Sequence, residues 1–461
     1  MTIAGAFIMP HPPVILPEIG EGREKEIWKT TKACREAARR IGDLAPETIV
    51  LLSPHAVMYA DYFHISPGKE ATGNLGQFGA SKVVLQAHYD TELVLAIAQE
   101  AGDRGIPAGT LGEEKRALDH GTMVPLYFVN QQYQGYKLVR MGLSGLSPLE
   151  HYQMGQAIAA AADRLKRRVV ILASGDLSHK LAQDGPYGFA PEGPVFDRQV
   201  TQAMAEGDFL KLLEFPPVFC ERAAECGLRS FQVMAGAFDG LGVEAELLSY
   251  EGPFGVGYGV AAFLPKEEEE ARRFFRIYEK EERERMEKRK AGEDAYVRLA
   301  RYSLETFLKT GKRAAMPKEL PKELTSRRAG VFVSLHKHGQ LRGCIGTIGP
   351  VTDCVAREIL RNAVSAGCED PRFDEVEEGE LDYLDYSVDV LGEPEPIRSE
   401  AELDPKRYGV IVSNGGRRGL LLPNLDGVDT VAEQVSIAKR KAGIGRGENC
   451  DLMRFEVVRH K

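Results

Sequence analysis

A densely charged stretch past the middle of the chain limits how the chain can fold. The segment 265–294, PKEEEEARRFFRIYEKEERERMEKRKAGED, alternates acidic and basic side chains and has few apolar ones. Such a segment cannot line a hydrophobic core, and its opposite charges at helical spacing favour a solvent-exposed helix. Because 461 residues are too many for one ordinary core, the segment marks a boundary. We therefore predict domains at 1–264 and 295–461, joined by a charged helical linker at 265–294.

The composition is typical of a soluble globular protein and narrows the class of function. Apolar residues make up 43% of the chain, and no apolar run reaches the roughly 20 residues that a membrane helix needs. The net charge of −9 disfavours nucleic acid as a partner. The seven cysteines are scattered without a CxxC pair, which favours a reducing cytoplasm over a disulfide framework. We expect a cytoplasmic protein with a small-molecule substrate and no membrane or nucleic-acid partner.

Before the charged segment, β-branched apolar runs alternate with helical stretches. The candidate strands are TIAGAFI, ETIVLLS, KVVLQA, YKLVRMGL, RVVILAS, VEAELLSYE and VGYGVAAFL. Amphipathic stretches such as LEHYQMGQAIAAAADRLK lie between them, which is typical of α/β proteins. We predict a mixed sheet flanked by helices. After the segment, short strands and a helix near 351–367 predict a smaller α/β domain with a substantial antiparallel component.

Four histidines of the first domain follow apolar strands, in loops that contain proline or glycine. They are His11 in MPHPPV, His55 in LLSPHA, His120 in LDHGTMVP and His179 in SGDLSHK. In open α/β sheets ligands bind beyond the carboxyl ends of the strands, so the common context favours a shared site. Any one of them alone would more often pack or cap a helix than bind a ligand. Two others, His64 in a predicted strand and His88 at a predicted helix start, are assigned structural roles.

Two neutral imidazoles and one carboxylate form a metal site that leaves open positions on Fe(II). The carboxylate must come from later in the chain, and Glu225 in AAECGLRSF is the favoured candidate. Glu251 in SYEGPFG, at a strand end, is the second candidate. On its own, Glu225 would most often interact with the dipole of the helix that follows it. Cys226 beside it is equally a core thiol or a soft ligand.

The motifs PHPPV, SPHA, DHGTMVPL and SGDLSHK, in this order, resemble those of the class III extradiol ring-cleavage dioxygenases of LigB type and their Memo-like relatives. The resemblance covers about residues 1–264. It implies the following roles: metal ligands at His11, His55 and Glu225, a catalytic histidine at His179 and a substrate-orienting histidine at His120. In Memo-like members the third ligand is a cysteine, so Cys226 is the alternative to Glu225. The metal implied by the resemblance is Fe(II).

The same resemblance implies an enzyme, a non-haem iron dioxygenase that opens a catechol-like ring. His179 would take a proton from a substrate hydroxyl and later return it, as imidazole can near neutral pH. Asp176 could orient this histidine, or it could cap the following helix. Two other functions stay open. One is a metal-binding scaffold without dioxygenase turnover, and the other is a hydrolase that holds zinc on the same ligands.

The second domain contains GVFVSLHKHGQLRGCIGTIGP, AGCEDPRF and RGLLLP, which resemble the AMMECR-type family. The two families are known together with a radical-SAM protein as the AmmeMemoRadiSam system. The resemblance therefore implies that this chain is a fusion of the first two families and that its partner is a separate radical-SAM protein. Cys344 is a candidate nucleophile near Arg342, His336 and His338. We favour the interpretation that the small residues around Cys344 allow a strand to pack tightly on a helix. We interpret the two histidines as exposed. We expect this domain to bind a partner or present a substrate.

Overall fold

The structure, a computed structural model, describes residues 2–114, 116–337, 339–425, 427–445 and 447–461. His338, which the sequence places near Cys344, lies outside the described residues. The chain divides into two compact units, Met1–Lys280 and Glu281–Lys461.

The first unit is built from short strands and helices that alternate along most of its length. Its described strands are β1 (Ile3–Met9), β2 (Thr48–Ser53), β3 (Phe63–His64), β4 (Glu70–Leu75), β5 (Ala80–His88), β6 (Ala108–Gly109), β7 (Lys137–Gly142), β8 (Val169–Ser174), β9 (Leu241–Glu251) and β10 (Tyr258–Glu268). Its described helices are α1 (Pro17–Gly20), α2 (Trp28–Leu44), α3 (Thr91–Gly102), α4 (His120–Val129), α5 (Pro148–Leu165), α6 (Glu192–Glu206), α7 (Pro217–Ala223) and α8 (Leu228–Gly236).

Six of these strands form one mixed sheet in the order β7-β2-β8-β1-β10-β9. The four strands from β7 to β1 run parallel, and β10 pairs antiparallel with both β1 and β9. Every residue of β2 and β8 is buried, as expected for parallel strands covered by helices on both faces. The predicted mixed sheet flanked by helices is therefore confirmed. The register pairs Met9 with Ser174, so the carboxyl ends of β1 and β8 meet at one edge.

The two faces of the sheet carry separate hydrophobic cores. Ile8, Leu52 and Ile171 belong to the core formed with α3, α5, α6 and α8. Their chain neighbours Phe7, Leu51 and Leu172 belong to the core formed with α2 and α4. This alternation follows from the two-residue period of a strand, which turns successive side chains to opposite faces. The arrangement leaves the ends of the strands as the place where polar side chains can gather.

Two local predictions differ from the structure. KVVLQA is a strand, but it belongs to β5, which pairs with β4 in a separate antiparallel hairpin. His88 is the last residue of β5, and α3 begins instead after its N-cap Asp90, whose side chain accepts a hydrogen bond from Leu93 N. The half-exposed alternation of β5 does not distinguish a hairpin from a strand of the main sheet.

The charged segment is only partly helical. Its first residues extend β10, where Glu268 pairs with Leu241 of β9. The helix itself, α9, spans Phe274–Gly292, and the division between the two units falls within it. At its start, Phe274 and Tyr278 pack against the core of the first unit, so this end is not a purely solvated helix.

The second unit is dominated by antiparallel strands. Its described elements are α10 (Ala295–Thr310), α11 (Lys322–Ser326), β11 (Val331–Lys337), β12 (Gln340–Gly346), α12 (Val355–Cys368), β13 (Leu384–Leu391), β14 (Glu395–Ile397), β15 (Tyr408–Asn414), β16 (Arg417–Leu421), α13 (Val431–Lys441) and β17 (Asp451–His460). The strands form one sheet in the order β12-β11-β13-β17-β15-β16, and β14 pairs with β17. All of these pairings are antiparallel, which confirms the antiparallel component predicted for this domain.

Candidate metal centre

The first histidine of the cluster is fixed by the end of β8. His11 follows β1 and is 2% exposed, and its Nδ1 lies 2.9 Å from Ser174 Oγ. The Ser174 hydroxyl donates its own hydrogen to Gly121 O at 2.6 Å. Because that hydrogen is used, the serine accepts from His11 Nδ1–H, and the lone pair of the imidazole is on Nε2. A hydrogen bond to the other ring nitrogen is the usual way in which a metal-binding histidine is oriented.

Three donor atoms come together at this edge of the sheet. His55 Nε2 lies 3.0 Å from His11 Nε2, and Cys226 Sγ lies 3.7 Å from the same nitrogen. All three atoms lie within 4.8 Å of one another, and in the described part of the chain they are the group that could hold a metal ion. When two imidazole nitrogens each bind one ion at about 2.1 Å and the angle between the two bonds is a right angle, the nitrogens lie about 3 Å apart. The 3.0 Å between the two Nε2 atoms therefore fits a shared metal ion.

The position of Cys226 depends on contact between two loops. Asp176 N donates to Cys226 Sγ at 3.3 Å, and Cys226 N donates to Asp176 O at 3.4 Å. The loops approach so closely that a Cβ on Gly175 would lie 2.2 Å from the Cα of Gly227. The glycines of SGD and ECG therefore permit the contact that brings the thiol to the histidines.

The two carboxylates proposed from the sequence are engaged elsewhere. Glu225 accepts a hydrogen bond from Leu228 N at 2.7 Å, as a residue at a helix start does. Burial raises its pKa to about 7, against the lowering effect of this bond. Glu251 accepts from Thr30 N and Thr30 Oγ1, both at 2.7 Å, near the start of α2. Of the three candidates for the third ligand, Cys226, the alternative, is therefore the one whose donor atom lies with those of His11 and His55.

His120 stacks against the candidate ligands without joining them. Its ring lies 4.0 Å from the His55 ring and 5.4 Å from the His11 ring, centroid to centroid. It is the first residue of α4, whose N-cap Asp119 accepts a hydrogen bond from Ser53 Oγ at 2.6 Å. Burial, together with the charges of the other two histidines, lowers the pKa of His120 to about 3. The ring is neutral at physiological pH and can donate or accept one hydrogen bond.

His179 lies on the irregular chain that follows β8. Its backbone N donates to Ala223 O at 3.2 Å, which ties this loop to the end of α7. Its Nδ1 is buried without a hydrogen-bond partner among the residues that the structure describes. Asp176, which the sequence suggested as its orienting group, instead accepts from His11 N at 2.9 Å. The His179 ring meets the Tyr187 ring edge-on, at 5.1 Å between centroids.

All four predicted histidines line one cleft of about 790 Å³. The other lining side chains are largely aromatic or apolar, and they include Val14, Phe78, Tyr187, Phe254, Val256 and Tyr258. Arg23, which sequence reasoning missed, also lines the cleft, and its guanidinium lies 4.7 Å from the centre of the Phe254 ring. The sequence gives no signal for Arg23, because this residue follows an irregular loop and lies far along the chain from Phe254, which it contacts in the cleft. His64 lies outside the cleft lining, consistent with its assigned structural role.

The electrostatic environment suits metal binding by neutral imidazoles. Burial lowers the pKa of His11 to about 3, and burial also lowers the pKa of His55. Burial, with the nearby charges of Asp176 and Glu225, raises the pKa of the Cys226 thiol well above its ordinary value. A metal ion at this position must therefore displace the thiol proton, because the thiolate is the form that ligates.

Two family models match the chain. Residues 5–261 match the model described as the catalytic LigB subunit of aromatic ring-opening dioxygenase. The chain belongs to the LigB family. In this LigB chain, residues 297–460 match a second model, AMMECR1, which confirms the fusion that the motifs predicted.

Relatives of this LigB chain share its length or one part of it. It is 42% identical over 469 residues to protein CA_C1420 of Clostridium acetobutylicum, with 100% of each chain covered. It is 51% identical over 172 residues to a protein of Thermotoga maritima, which covers 37% of this chain and 99% of that protein. The crystal structure of uncharacterized protein PH0010 from Pyrococcus horikoshii matches with a TM-score of 0.34 and 34% identity, over 36% of this chain and 88% of that chain.

In the AMMECR1 part, Cys344 is surrounded by residues of the EDPRF motif. Cys344 N donates to Asp370 Oδ2 at 2.9 Å, and Arg372 Nη2 donates to Cys344 O at 3.2 Å. Arg342, suggested from the sequence as its activator, instead pairs with Glu380 at 2.9 Å. The preceding Gly343 packs so closely that a Cβ there would lie 2.0 Å from a backbone oxygen of α12. This contact supports the interpretation that the small residues allow a strand to pack on a helix.

Proposed function

We propose that the first unit is a non-haem iron oxygenase of the extradiol type that acts on a small catechol-like molecule. The observation that supports this most directly is the convergence of three donor atoms within 4.8 Å, on His11, His55 and Cys226. Two of these residues line a cleft that His120 and His179 also line. Membership of the LigB family supports ring-opening chemistry over other uses of such a site.

The donor set is compatible with iron. Neutral imidazole is a good ligand for iron and zinc, and a thiolate is softer than the carboxylate of a two-histidine, one-carboxylate site. His11, His55 and Cys226 would hold the ion, and the cleft leaves room for substrate beside them. Bound Fe(II) would supply a redox-active Lewis acid for the reaction of a catechol with dioxygen.

The two remaining histidines have distinct roles in this proposal. His179 takes a proton from a substrate hydroxyl and returns it later, because it lines the same cleft as His11 and His55. His120, neutral and stacked on His55, donates or accepts one hydrogen bond and so orients a substrate oxygen. Phe254 and Tyr258 give the cleft aromatic walls that bind a flat ring and exclude water.

Anaerobic purification followed by elemental analysis tests the metal, and oxygen uptake on adding a panel of catechols tests the reaction. We expect about one iron per chain and a yellow ring-opened product. His179→Ala should keep the iron and lose turnover, since it removes the proton acceptor. His88→Ala is the matched control, because that histidine is exposed and absent from the cleft. Iron without oxygen uptake on any catechol would contradict the oxygenase and favour a metal-binding scaffold.

The Cys226 thiol favours a second candidate, a zinc-dependent hydrolase. Zinc binds nitrogen and sulfur ligands tetrahedrally, and catalytic zinc sites keep three protein ligands and one open position. One equivalent of zinc that survives anaerobic purification, with hydrolysis of an activated ester that is lost in Cys226→Ala, would support this function. Iron in place of zinc would exclude it.

We also propose that the second unit binds a partner or presents a substrate, and that the partner is a radical-SAM protein. The match to AMMECR1 and the resemblance to the AmmeMemoRadiSam system support this proposal. The seven cysteines are free, which supports a location in the reducing cytoplasm. Co-purification of the full chain with a co-expressed radical-SAM protein, compared with a chain that ends at residue 280, would test the partner. Equal recovery by both would contradict a role for the second unit.

A further inference from the structure

The cleft of the metal centre contains a hydrogen-bond donor without a partner, the Tyr258 hydroxyl. Tyr258 is the first residue of β10, is 3% exposed and lines the cleft. No described residue forms a hydrogen bond with its hydroxyl, and this oxygen is not fully buried, in contrast to that of Tyr89. Because the rest of the residue packs in the core formed with α2 and α4, the hydroxyl meets the open space of the cleft.

The Tyr258 hydroxyl is a donor at neutral pH. Burial raises the pKa of Tyr258, and the charges of Asp176 and Tyr187 raise it further. The phenol therefore keeps its proton and can donate it to an acceptor. Asp176 does not take this hydrogen, since its carboxylate accepts from His11 N at 2.9 Å and no hydrogen bond joins it to Tyr258. The acceptor that fits is an atom of a molecule bound in the cleft.

The backbone places Tyr258 beside the chain that carries His179. Leu177 N donates to Gly257 O, and Gly257 N donates to Ser178 O, both at 2.8 Å. A Cβ on Gly257 would lie 3.0 Å from the Cβ of Leu177, so glycine lets the two chains come this close. His179 and Tyr258 follow these paired residues directly, and both line the cleft. They therefore border the same part of it.

The hydrogen-bonding groups of the cleft lie beside different candidate ligands. His120 stacks on His55, at 4.0 Å between ring centroids. Asp176, whose charge contributes to the raised pKa of Tyr258, has its Oδ2 at 3.9 Å from His11 Nε2. A catechol carries two adjacent hydroxyl groups, so one of them can meet His120 while the other meets Tyr258.

We propose that Tyr258 is a further catalytic residue, whose hydroxyl donates a hydrogen bond to the substrate oxygen that His179 deprotonates. As the O–H bond of the substrate breaks, the proton goes to the His179 imidazole. The electron pair stays on the oxygen, beside the phenol hydrogen. A donor that is already in place stabilises this charge without having to reorganise. This role rests on the proposed function, because it needs a hydroxylated aromatic molecule in the cleft.

Binding of nitrocatechol, whose visible spectrum separates its ionised from its un-ionised form, tests this role in the metal-loaded full chain without oxygen. Tyr258→Phe removes one oxygen atom and keeps the ring that packs in the core. We expect this variant to bind nitrocatechol about tenfold more weakly than the wild type, because a hydrogen bond to a charged oxygen is lost. A larger share of the bound molecule should be un-ionised, and the metal content and Tm should not change.

Tyr127→Phe is the matched control. The Tyr127 hydroxyl donates to Glu18 Oε1 at 3.2 Å, and the residue lies outside the cleft lining. This variant should bind nitrocatechol as tightly as the wild type and with the same spectrum.

Three results would overturn the role of Tyr258. Equal affinity and an equal spectrum in Tyr258→Phe and the wild type would contradict it and leave the proposed function intact. Weaker binding together with metal loss or a lower Tm would mean that the hydroxyl supports the structure of the site instead. A metal-loaded wild type that does not bind nitrocatechol would contradict the proposed function as well.

Discussion

At the scale of single residues, the adjacent pair Glu225 and Cys226 decides the donor set. Ala224 before them has a φ of 52°, in the left-handed region, where α7 ends. The turn sends the Glu225 carboxylate to Leu228 N and the Cys226 thiol toward His11. The sequence favoured Glu225 as the third ligand, but in the structure it is the donor atom of Cys226 that lies with those of His11 and His55.

This division of roles predicts the metal content of four variants. Alanine at His11, His55 or Cys226 should reduce the bound metal from about one equivalent to less than about a tenth, because each removes a donor atom. Glu225→Gln should keep the metal, since the amide oxygen can still accept from Leu228 N. Elemental analysis of the purified variants checks this. Metal loss in Glu225→Gln, with metal retained in Cys226→Ala, would restore the carboxylate as ligand.

A second prediction at this scale concerns Asp197, a residue of α6 that is 1% exposed. Its carboxylate accepts from Ser178 N at 2.8 Å and from the Tyr250 hydroxyl at 2.7 Å. Burial raises its pKa to about 6, against the lowering effect of these two bonds. Between about pH 4 and 6 the folded protein holds a proton that the unfolded chain has lost, so stability from this group falls as pH rises.

Asp197→Asn should remove that dependence and keep an acceptor for Ser178 N. From pH 4.5 to 7.5 the free energy of unfolding should fall in the wild type by on the order of 2 kcal/mol more than in the variant. Urea denaturation at the two pH values measures this. Parallel losses in the two proteins would mean that Asp197 is ionised throughout the range.

At the scale of elements, the crossing of α5 and α8 supports the metal centre. A Cβ on Gly155 of α5 would lie 1.9 Å from Val233 O, and a Cβ on Gly236 of α8 would lie 1.8 Å from Tyr152 O. The two glycines let the helix backbones touch. Because α8 begins two residues after Cys226, this contact fixes the helix that follows the thiol.

Gly155→Ala should therefore destabilise the first unit by about 1–3 kcal/mol, because the added methyl group forces the helices apart. Gly102→Ala, at the end of α3 where nothing lies within 4 Å, is the control. That change should be neutral or stabilising by up to about 1 kcal/mol, since alanine restricts the unfolded chain. Thermal unfolding compares them, and equal Tm values would mean that the helices adjust without cost.

At the scale of the whole molecule, the three candidate ligands all belong to the unit Met1–Lys280. Each unit also has its own hydrophobic clusters. A chain that ends at residue 280 should therefore fold and bind the same metal with the same stoichiometry as the full chain. Elemental analysis and circular dichroism of both proteins check this. A truncated chain that folds without metal would mean that the second unit contributes to the site.

Much of the fold of the first unit could be predicted from its sequence. Strands such as β2 and β8 are short apolar runs whose burial follows from composition alone, and a histidine directly after a parallel strand must lie at the ligand-binding edge. The pairing of strands was less accessible, and β5 shows why: a half-exposed strand has the same pattern in a hairpin as in the main sheet.

The sequence by itself determined which residues could do chemistry, namely the histidines at strand ends, because strand periodicity and side-chain type are local properties. The tertiary structure alone decided which of them meet. The distance from His11 to Cys226 depends on two glycine loops in contact. Contacts between residues distant in the chain follow from packing, in which every element has to fit at once, and no local pattern encodes them.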